Sequence, residues 1–255
     1  MKESVYIQQL KSLKIMLVAD TCHDIYQYGK VERISPEAPV PIFLPTETKI
    51  LGGMGFNVQK NLTNLGVSVA HYLGTPSKKT RLVDQKTNAQ ILRIDEDEER
   101  SPLGMDTVYC SLNAIDAIVV SDYEKGFLTY NFIEDLIRIS DVPVFIDTKK
   151  RDLKRFEGGI LKINNTEYSN RISDHPEAII TRGSDSVRYR GKEYKVPNKK
   201  IFDVCGAGDT FLAVLSAFSI ITNIDHAIHM AIKAATITVQ HCGVYAPTIK
   251  EILHE

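Results

Sequence analysis

Five short apolar runs constrain this chain more than any other feature. They cover residues 15–19, 117–120, 142–146, 160–163 and 178–180. Most are β-branched and apolar on both faces, which suits strands buried in a parallel sheet. Each gives way to a polar residue: Asp20, Ser121-Asp122, Asp147, Asn164 and Thr181. Ligands of open α/β sheets bind outside the carboxyl ends of the strands. Taken singly, each polar residue is an ordinary loop start; five on one edge are a site signal.

Helical patterns fill the gaps. Val58, Leu62 and Leu65 share one face, and Gly66 offers a C-terminal cap. Phe132, Ile133, Leu136 and Ile137 form a second stripe, and Phe211, Val214, Leu215 and Phe218 a third. Residues 224–239 read as a long, mostly buried helix. Strands alternating with helices predict an α/β fold, here one domain over residues 1–255.

One region breaks the alternation. Residues 31–51 carry four prolines and no helical period. Proline is tolerated at sheet edges but not in central strands. Two extended segments are expected, 31–35 and 40–50, with a third at 90–94. Together they make either a small β flap, spanning about 31–51 and 86–94, or an irregular surface loop. The run Asp95-Glu96-Asp97-Glu98-Glu99-Arg100 and the basic stretch Lys149-Lys150-Arg151-Asp152 read as solvated connections, although Lys149 follows a strand end and is within reach of an anion.

Composition narrows the function. Thirty-one basic and 32 acidic residues give a net charge of -1, which argues against a nucleic-acid or membrane-surface binder. There is no apolar run long enough to span a bilayer, and the start, MKESVYIQQLKSLK, lacks a signal peptide's apolar stretch. A cytoplasmic location is expected. Cys22, Cys110, Cys205 and Cys242 show no Cys-x-x-Cys spacing, so reduced thiols are expected rather than zinc or disulfides.

The stretch FDVCGAGDTF, residues 202–211, places a glycine-rich turn and a carboxylate at the mouth of an apolar helix. Backbone N–H groups at a helix start are unpaired and the dipole is positive there. Glycines let phosphate oxygens approach. Asp209 has two readings: it stabilises the helix start, or it takes a proton from a hydroxyl that attacks phosphorus.

Gly206-Ala207-Gly208-Asp209, preceded by Asp203-Val204-Cys205, closely resembles the C-terminal signature of the ribokinase-like (PfkB) carbohydrate kinases, usually Asp-Thr-x-Gly-Ala-Gly-Asp. Gly52-Gly53-Met54-Gly55-Phe56-Asn57 resembles the N-terminal signature of the same family. RISPEAPVP (33–41), SDYEKG (121–126) and the Asn-x-x-Glu of NNTE (164–167) resemble the heptose 7-phosphate kinases of bacterial ADP-heptose synthesis. The similarity runs from about Ile15 to Ile252.

The resemblance implies a ribokinase-like three-layer α/β/α fold, with a mainly parallel central sheet and a small β flap as lid. It implies transfer of the γ-phosphoryl of ATP to the anomeric hydroxyl of D-glycero-D-manno-heptose 7-phosphate. Asp209 becomes the general base, and Gly206, Ala207 and Gly208 the anion hole. Asp24, Gly52, Gly53 and Asn57 are implied to bind sugar hydroxyls, and Arg93 and Lys125 the substrate's 7-phosphate. Asn164, Asn165, Thr166, Glu167, Thr181, Arg182, Gly183 and Gly243 are implied on the nucleotide side. Glu167 would hold Mg2+ through water, and Asp203 a monovalent cation such as K+. Expected partners are the sugar phosphate, ATP, a second copy through the flap, and a separate nucleotidyltransferase, since no His-x-Gly-His occurs here.

The sequence departs from the family in three ways. Cys205 stands where threonine is usual, as a weak donor, a small buried residue, or a thiol acidified by the helix start. A strand–helix–strand unit is missing between Gly74 and Thr80, and a helical segment is shortened between Tyr168 and Ala178. Ile232 and Thr236 alter the expected adenine pocket. These departures leave two alternatives open: a kinase of another sugar or sugar phosphate, or a non-catalytic regulatory protein of the same fold.

Overall fold

Strand β1 (Lys14–Ala19) lies at the heart of the molecule. Its alternate residues feed two separate cores, because successive side chains of a strand point to opposite faces. Ile15 and Leu17 pack with Leu10, Val58, Leu62, Phe211, Leu215 and Ile228. Met16 and Val18 pack with Phe132, Ile133, Leu136, Leu153 and Phe156 on the other side. Two helical layers therefore sandwich one sheet. The computed structural model describes residues 2–98, 100–241 and 243–254. Cys242 and Glu99 lie outside the described residues.

The remaining strands are β2 (Thr21–Ile34), β3 (Pro41–Met54), β4 (Ser68–Leu73), β5 (Ser77–Asp84), β6 (Gln90–Glu96), β7 (Ala117–Asp122), β8 (Val144–Thr148), β9 (Ile160–Asn164), β10 (Ile179–Thr181), β11 (Ser186–Tyr189) and β12 (Lys192–Lys195). The main sheet runs β12-β11-β10-β9-β8-β7-β1-β4. From β10 to β4 all pairs are parallel, and the β11–β12 hairpin adds two antiparallel strands. The five expected strands are thus consecutive neighbours, and their polar ends share one edge. Strand β4 and the hairpin carry no buried apolar run, which is why the sequence pattern does not mark them.

The helices Gly55–Asn64, Tyr130–Ile139 and Ala207–Ile221 correspond to the three expected stripes, and Ile224–Val239 to the expected long helix. The Tyr130–Ile139 helix starts where Thr129 accepts the Phe132 N–H at 3.1 Å, an N-cap bond. Among the described residues, no helix is long and apolar enough to cross a membrane.

The smaller sheet runs β3-β2-β5-β6. It is larger than the expected flap: β2 begins directly after Asp20, β3 runs to Met54, and β5 was not anticipated. The prolines sit where edge strands allow them. Pro41 opens β3, and Pro45 lies beside a register shift. Three connections root the flap in the carboxyl edge of the main sheet. Gly55 N–H donates to Asp20 O at 2.9 Å, Gly74 N–H donates to Ala19 O at 2.9 Å, and the Thr21 hydroxyl donates to Gly74 O at 2.6 Å. The chain passes from β4 to β5 through Gly74, Thr75 and Pro76, and β4 is the edge strand of the main sheet.

The basic stretch after β8 is solvated only in part: Arg151 is exposed, but Lys149 and Lys150 turn inward. Lys150 is buried and pairs with buried Asp122 at 3.0 Å, while Lys149 pairs with Glu167. In the acidic run, Asp95 binds Arg93 and Asp97 binds Lys125.

Candidate active site

The helix Ala207–Ile221 opens on Gly206, whose φ of 78° is left-handed and favours glycine. A Cβ there would lie 2.6 Å from Asn57 Nδ2. The Gly206 position is therefore set both by its backbone and by the neighbouring helix Gly55–Asn64. That second helix has its own constraints. A Cβ on Gly53 would fall 2.2 Å from Asp24 Oδ2, and one on Gly55 2.3 Å from Ala19 Cβ. Met54, at φ 54° and ψ -128°, holds a backbone conformation that costs a side chain roughly 1–3 kcal/mol. Strain of this kind persists only where surroundings enforce it.

Asp209 sits in the first turn, 5% exposed. Both its oxygens are held. Asn57 Nδ2 donates to Oδ2 at 3.0 Å, and the Tyr123 hydroxyl donates to Oδ1 at 2.9 Å. Burial pushes the Asp209 carboxyl up to about 6, with Asp147 adding to it; Asn57, Tyr123 and Lys162 pull the other way. A carboxyl ionising there is poised to accept a proton near neutral pH.

Cations line the adjoining strand ends. Lys162, a lone charge inside an apolar strand, donates to Asp147 Oδ2 at 2.6 Å. A Cβ on Gly208 would come within 2.9 Å of its Nζ, so the ammonium lies directly against the helix start. Burial alone would lower the Lys149 ammonium, but Asp147 and Glu167 hold it above its ordinary range. Asn164 and Glu167 form a reciprocal capping box on the helix Asn165–Ser169, with bonds of 2.9 and 3.1 Å.

On the flap side, Asp24 accepts from Arg81 at 2.7 Å. Both are largely buried. On the opposite side of the glycine turn lies an apolar cavity of about 330 Å3, lined in part by Thr181, Gly183, Gly208, Phe211, Ile232 and Thr236. The site is thus a polar flap-covered side and an apolar side, with Asp209 and the glycine turn between them.

A family model described as "pfkB family carbohydrate kinase" matches residues 164–251. The chain is 34% identical over 186 residues to a bifunctional protein HldE of Geobacter sulfurreducens, covering 57% of this chain and 37% of that one. Against the HldE of Nitratiruptor it is 29% identical over 299 aligned positions, covering 94% and 64%. Ribokinase from Thermotoga maritima shares the fold at a TM-score of 0.69 and 14% identity, covering 95% of this chain and 98% of that one. Escherichia coli phosphofructokinase-2, solved in complex with potassium, does so at 0.68 and 12%, covering 95% and 97%. These likenesses support a ribokinase-like carbohydrate kinase: the fold is that of ribokinase, and residues 164–251 match the pfkB model. It spans less than two thirds of the length of the HldE relatives named above. The 299-position alignment exceeds this chain's 255 residues and therefore contains gaps.

Within this ribokinase-like fold the two glycine signatures converge on Asp209. Asn57 is 1% exposed, and its amide serves Asp209, Gly206 O and Asn61. Gly52 lies against Phe56. Arg93 is exposed and bonds Asp95 at 2.6 and 2.5 Å, and Lys125 bonds Asp97 at 2.5 Å. Asn165 and Thr166 are exposed on the first turn of their helix. Thr181 and Gly183 line the cavity, while Arg182 turns to Glu193 at 3.1 Å. Asp203 accepts the N–H groups of Cys205 and Gly243, both at 2.9 Å, and so clamps two loops together.

The acidified-thiol reading of Cys205 is overturned. Burial and then Asp203 push it up to about 11. Sequence reasoning assigned no role to Tyr123, Lys162 or Arg81, and marked Asp147 only as one of five polar strand ends. A charge inside the apolar run 160–163 was the one available signal for Lys162.

Magnesium takes oxygen ligands and is commonly held by one or two carboxylates together with substrate phosphates. Among the described residues, no group of three or more His, Cys, Asp or Glu side chains comes together to hold a metal. However, Asp147 Oδ1 is buried without a hydrogen-bond partner, and Glu167 stands at the neighbouring strand end. These residues fit a magnesium ion that arrives with a nucleotide.

Proposed function

We propose that this ribokinase-like kinase transfers the γ-phosphoryl group of ATP to the anomeric hydroxyl of a sugar phosphate, with D-glycero-D-manno-heptose 7-phosphate as the first candidate and the 1,7-bisphosphate as product. The observation that carries this reading is the buried Asp209 carboxyl at the mouth of the glycine helix, held by Asn57 and Tyr123 and ionising at about 6. The relatives named HldE and the SDYEKG and RISPEAPVP stretches support the heptose.

The sugar lies under the flap, with hydroxyls on Asp24 and the Gly52–Gly53 backbone and Asn57 behind them. Its distal phosphate faces the cationic side chains of the flap and loop, Arg93 and Lys125 among them. ATP fills the apolar cavity, its phosphates running past Thr181, Arg182 and Gly183 toward Asn164 and Gly208, with Gly243 at the nucleotide's edge. Asp209 takes the proton of the attacking hydroxyl. The sugar oxygen forms a bond to the γ-phosphorus as the bond to the bridging oxygen breaks, and ADP leaves. Charge on the transferring group is met by the N–H groups of Ala207 and Gly208 and by Lys162, donors already in place before reaction. Glu167 and Asp147 would hold magnesium, which would neutralise phosphate charge. A monovalent cation beside Asp203 belongs to the same proposal and is tested by K+ titration of the rate. The flap pairs with a second copy, and a nucleotidyltransferase acts downstream.

The test is a panel of sugars and sugar phosphates with ATP and magnesium, the product identified by 31P NMR. A new anomeric phosphate on the heptose supports the full reading. One on another sugar keeps the chemistry and changes the substrate. None on any sugar contradicts it.

A further inference from the structure

Tyr123 lies one residue beyond β7, with its hydroxyl on the base. Its place is built rather than incidental. The buried Asp20 carboxylate accepts the Tyr123 N–H at 2.7 Å and the Lys125 N–H at 3.2 Å. Asp122, also buried, accepts the Glu124 N–H at 2.9 Å. Glu124 and Gly126 turn the chain through φ of 55° and 89°. The ring carries Lys149 Nζ at 5.0 Å from its centre, and Lys149 in turn pairs with Glu167. One side chain therefore touches the base on one end and the cation of the nucleotide side on its face.

We propose that Tyr123 is a positioning residue for Asp209: its hydroxyl fixes one carboxylate oxygen while Asn57 fixes the other, leaving the remaining lone pairs directed at the incoming hydroxyl. The inference rests on Asp209 being the base. A carboxylate with one anchor rotates about its last bond; with two it does not. Misplacing a reacting atom by about 1 Å is enough to cost about 100-fold in rate. The hydrogen bond also favours the charged carboxylate and so opposes burial. The groups facing Asp209 are Asn57 from the helix Gly55–Asn64, Tyr123 after β7, Asp147 and Lys149 at the end of β8, Lys162 in β9 and Cys22 in β2. Of these, Asn57 and Tyr123 hydrogen-bond to it.

The test reads the carboxyl itself, by 13C NMR titration of the aspartates, with Asp209→Asn assigning the signal. Wild type is expected to titrate near 6. Tyr123→Phe keeps the ring and its contact with Lys149, and the midpoint moves to higher pH. Incorporating 3-fluorotyrosine, which makes the phenol a stronger donor without removing an atom, moves it lower. In kinetics, Tyr123→Phe lowers kcat roughly tenfold with KM nearly unchanged, and the acid limb of the rate profile follows the NMR midpoint. An Asp209 midpoint that stays put in both proteins overturns the proposal. Turnover surviving in Asp209→Asn would instead refute Asp209 as base, an outcome separable from the titration.

Discussion

Asn57 Nδ2 lies 3.0 Å from Asp209 Oδ2, across 152 residues of chain. The bond joins the two glycine signatures. One signature supplies the strained turn at Met54 that launches the helix Gly55–Asn64; the other supplies the carboxylate. Gly206, packed between them, lacks a Cβ that would lie 2.6 Å from Asn57 Nδ2.

Holding Asp209 buried costs stability. Its folded value of about 6 stands above the ordinary 3.8, a penalty on the charged form of about 3 kcal/mol. Above pH 6 the folded chain bears the whole cost. As pH falls from 6 toward 3.8 only the folded state takes the proton, and the cost disappears. Asp209→Asn is therefore expected to be more stable than wild type at pH 7.5, by roughly 1–3 kcal/mol. The gap should close toward pH 4. Urea melts at both pH values check this; a less stable variant at pH 7.5 contradicts it.

Lys162 and Asp147 form a buried pair at 2.6 Å. Lys162→Met leaves Asp147 unpaired and is expected to cost about 3–5 kcal/mol. Adding Asp147→Asn should return most of the stability, because no buried charge is then stranded. Turnover should stay low in both, since the cation at the helix start is gone and the double variant also lacks the Asp147 carboxylate. Thermal melts and ADP release on the three proteins decide this. Full turnover in the double variant would remove Lys162 from the chemistry.

Much of this was legible in the sequence, for stated reasons. Buried parallel strands such as 117–120 advertise themselves because both faces are apolar. The glycine turns are visible because their backbone tolerates little else. Strand β4 is apolar but half-exposed, and β5 is half-exposed and polar, so neither shows the buried apolar run that marks the others. The role of Tyr123 was hidden because a tyrosine after a strand end reads like any other; only the fold brings its hydroxyl to Asp209. Lys150 read as a surface charge because its partner Asp122 lies 28 residues earlier. The sequence also suggested an acidified Cys205, since it weighed the helix start but not Asp203.

Cys205 is exposed yet its thiol is pushed up to about 11. The thiolate is the reactive form, so iodoacetamide should modify Cys205 at pH 7.5 more slowly than a free cysteine. Mass spectrometry of a timed reaction measures the rate. Faster labelling would contradict the placement of Asp203 beside it.

The flap has two unlike faces. Asp24, Arg81 and Tyr26 share the side of the site, as their register shows. Ile50, Leu92 and Ile94 lie on the other face and are exposed. An exposed apolar face of this kind marks an interaction surface. Light scattering is expected to give a dimer for wild type and a monomer for Ile50→Glu. A monomeric wild type at working concentrations would refute pairing through the flap.

The most direct test of the central claim is magnesium-dependent ADP release with D-glycero-D-manno-heptose 7-phosphate, wild type against Asp209→Asn. The account predicts turnover in wild type that falls at least about 1,000-fold in the variant, with ATP still bound by both. Turnover that survives in Asp209→Asn, or a wild type that binds ATP but phosphorylates no sugar, would contradict it.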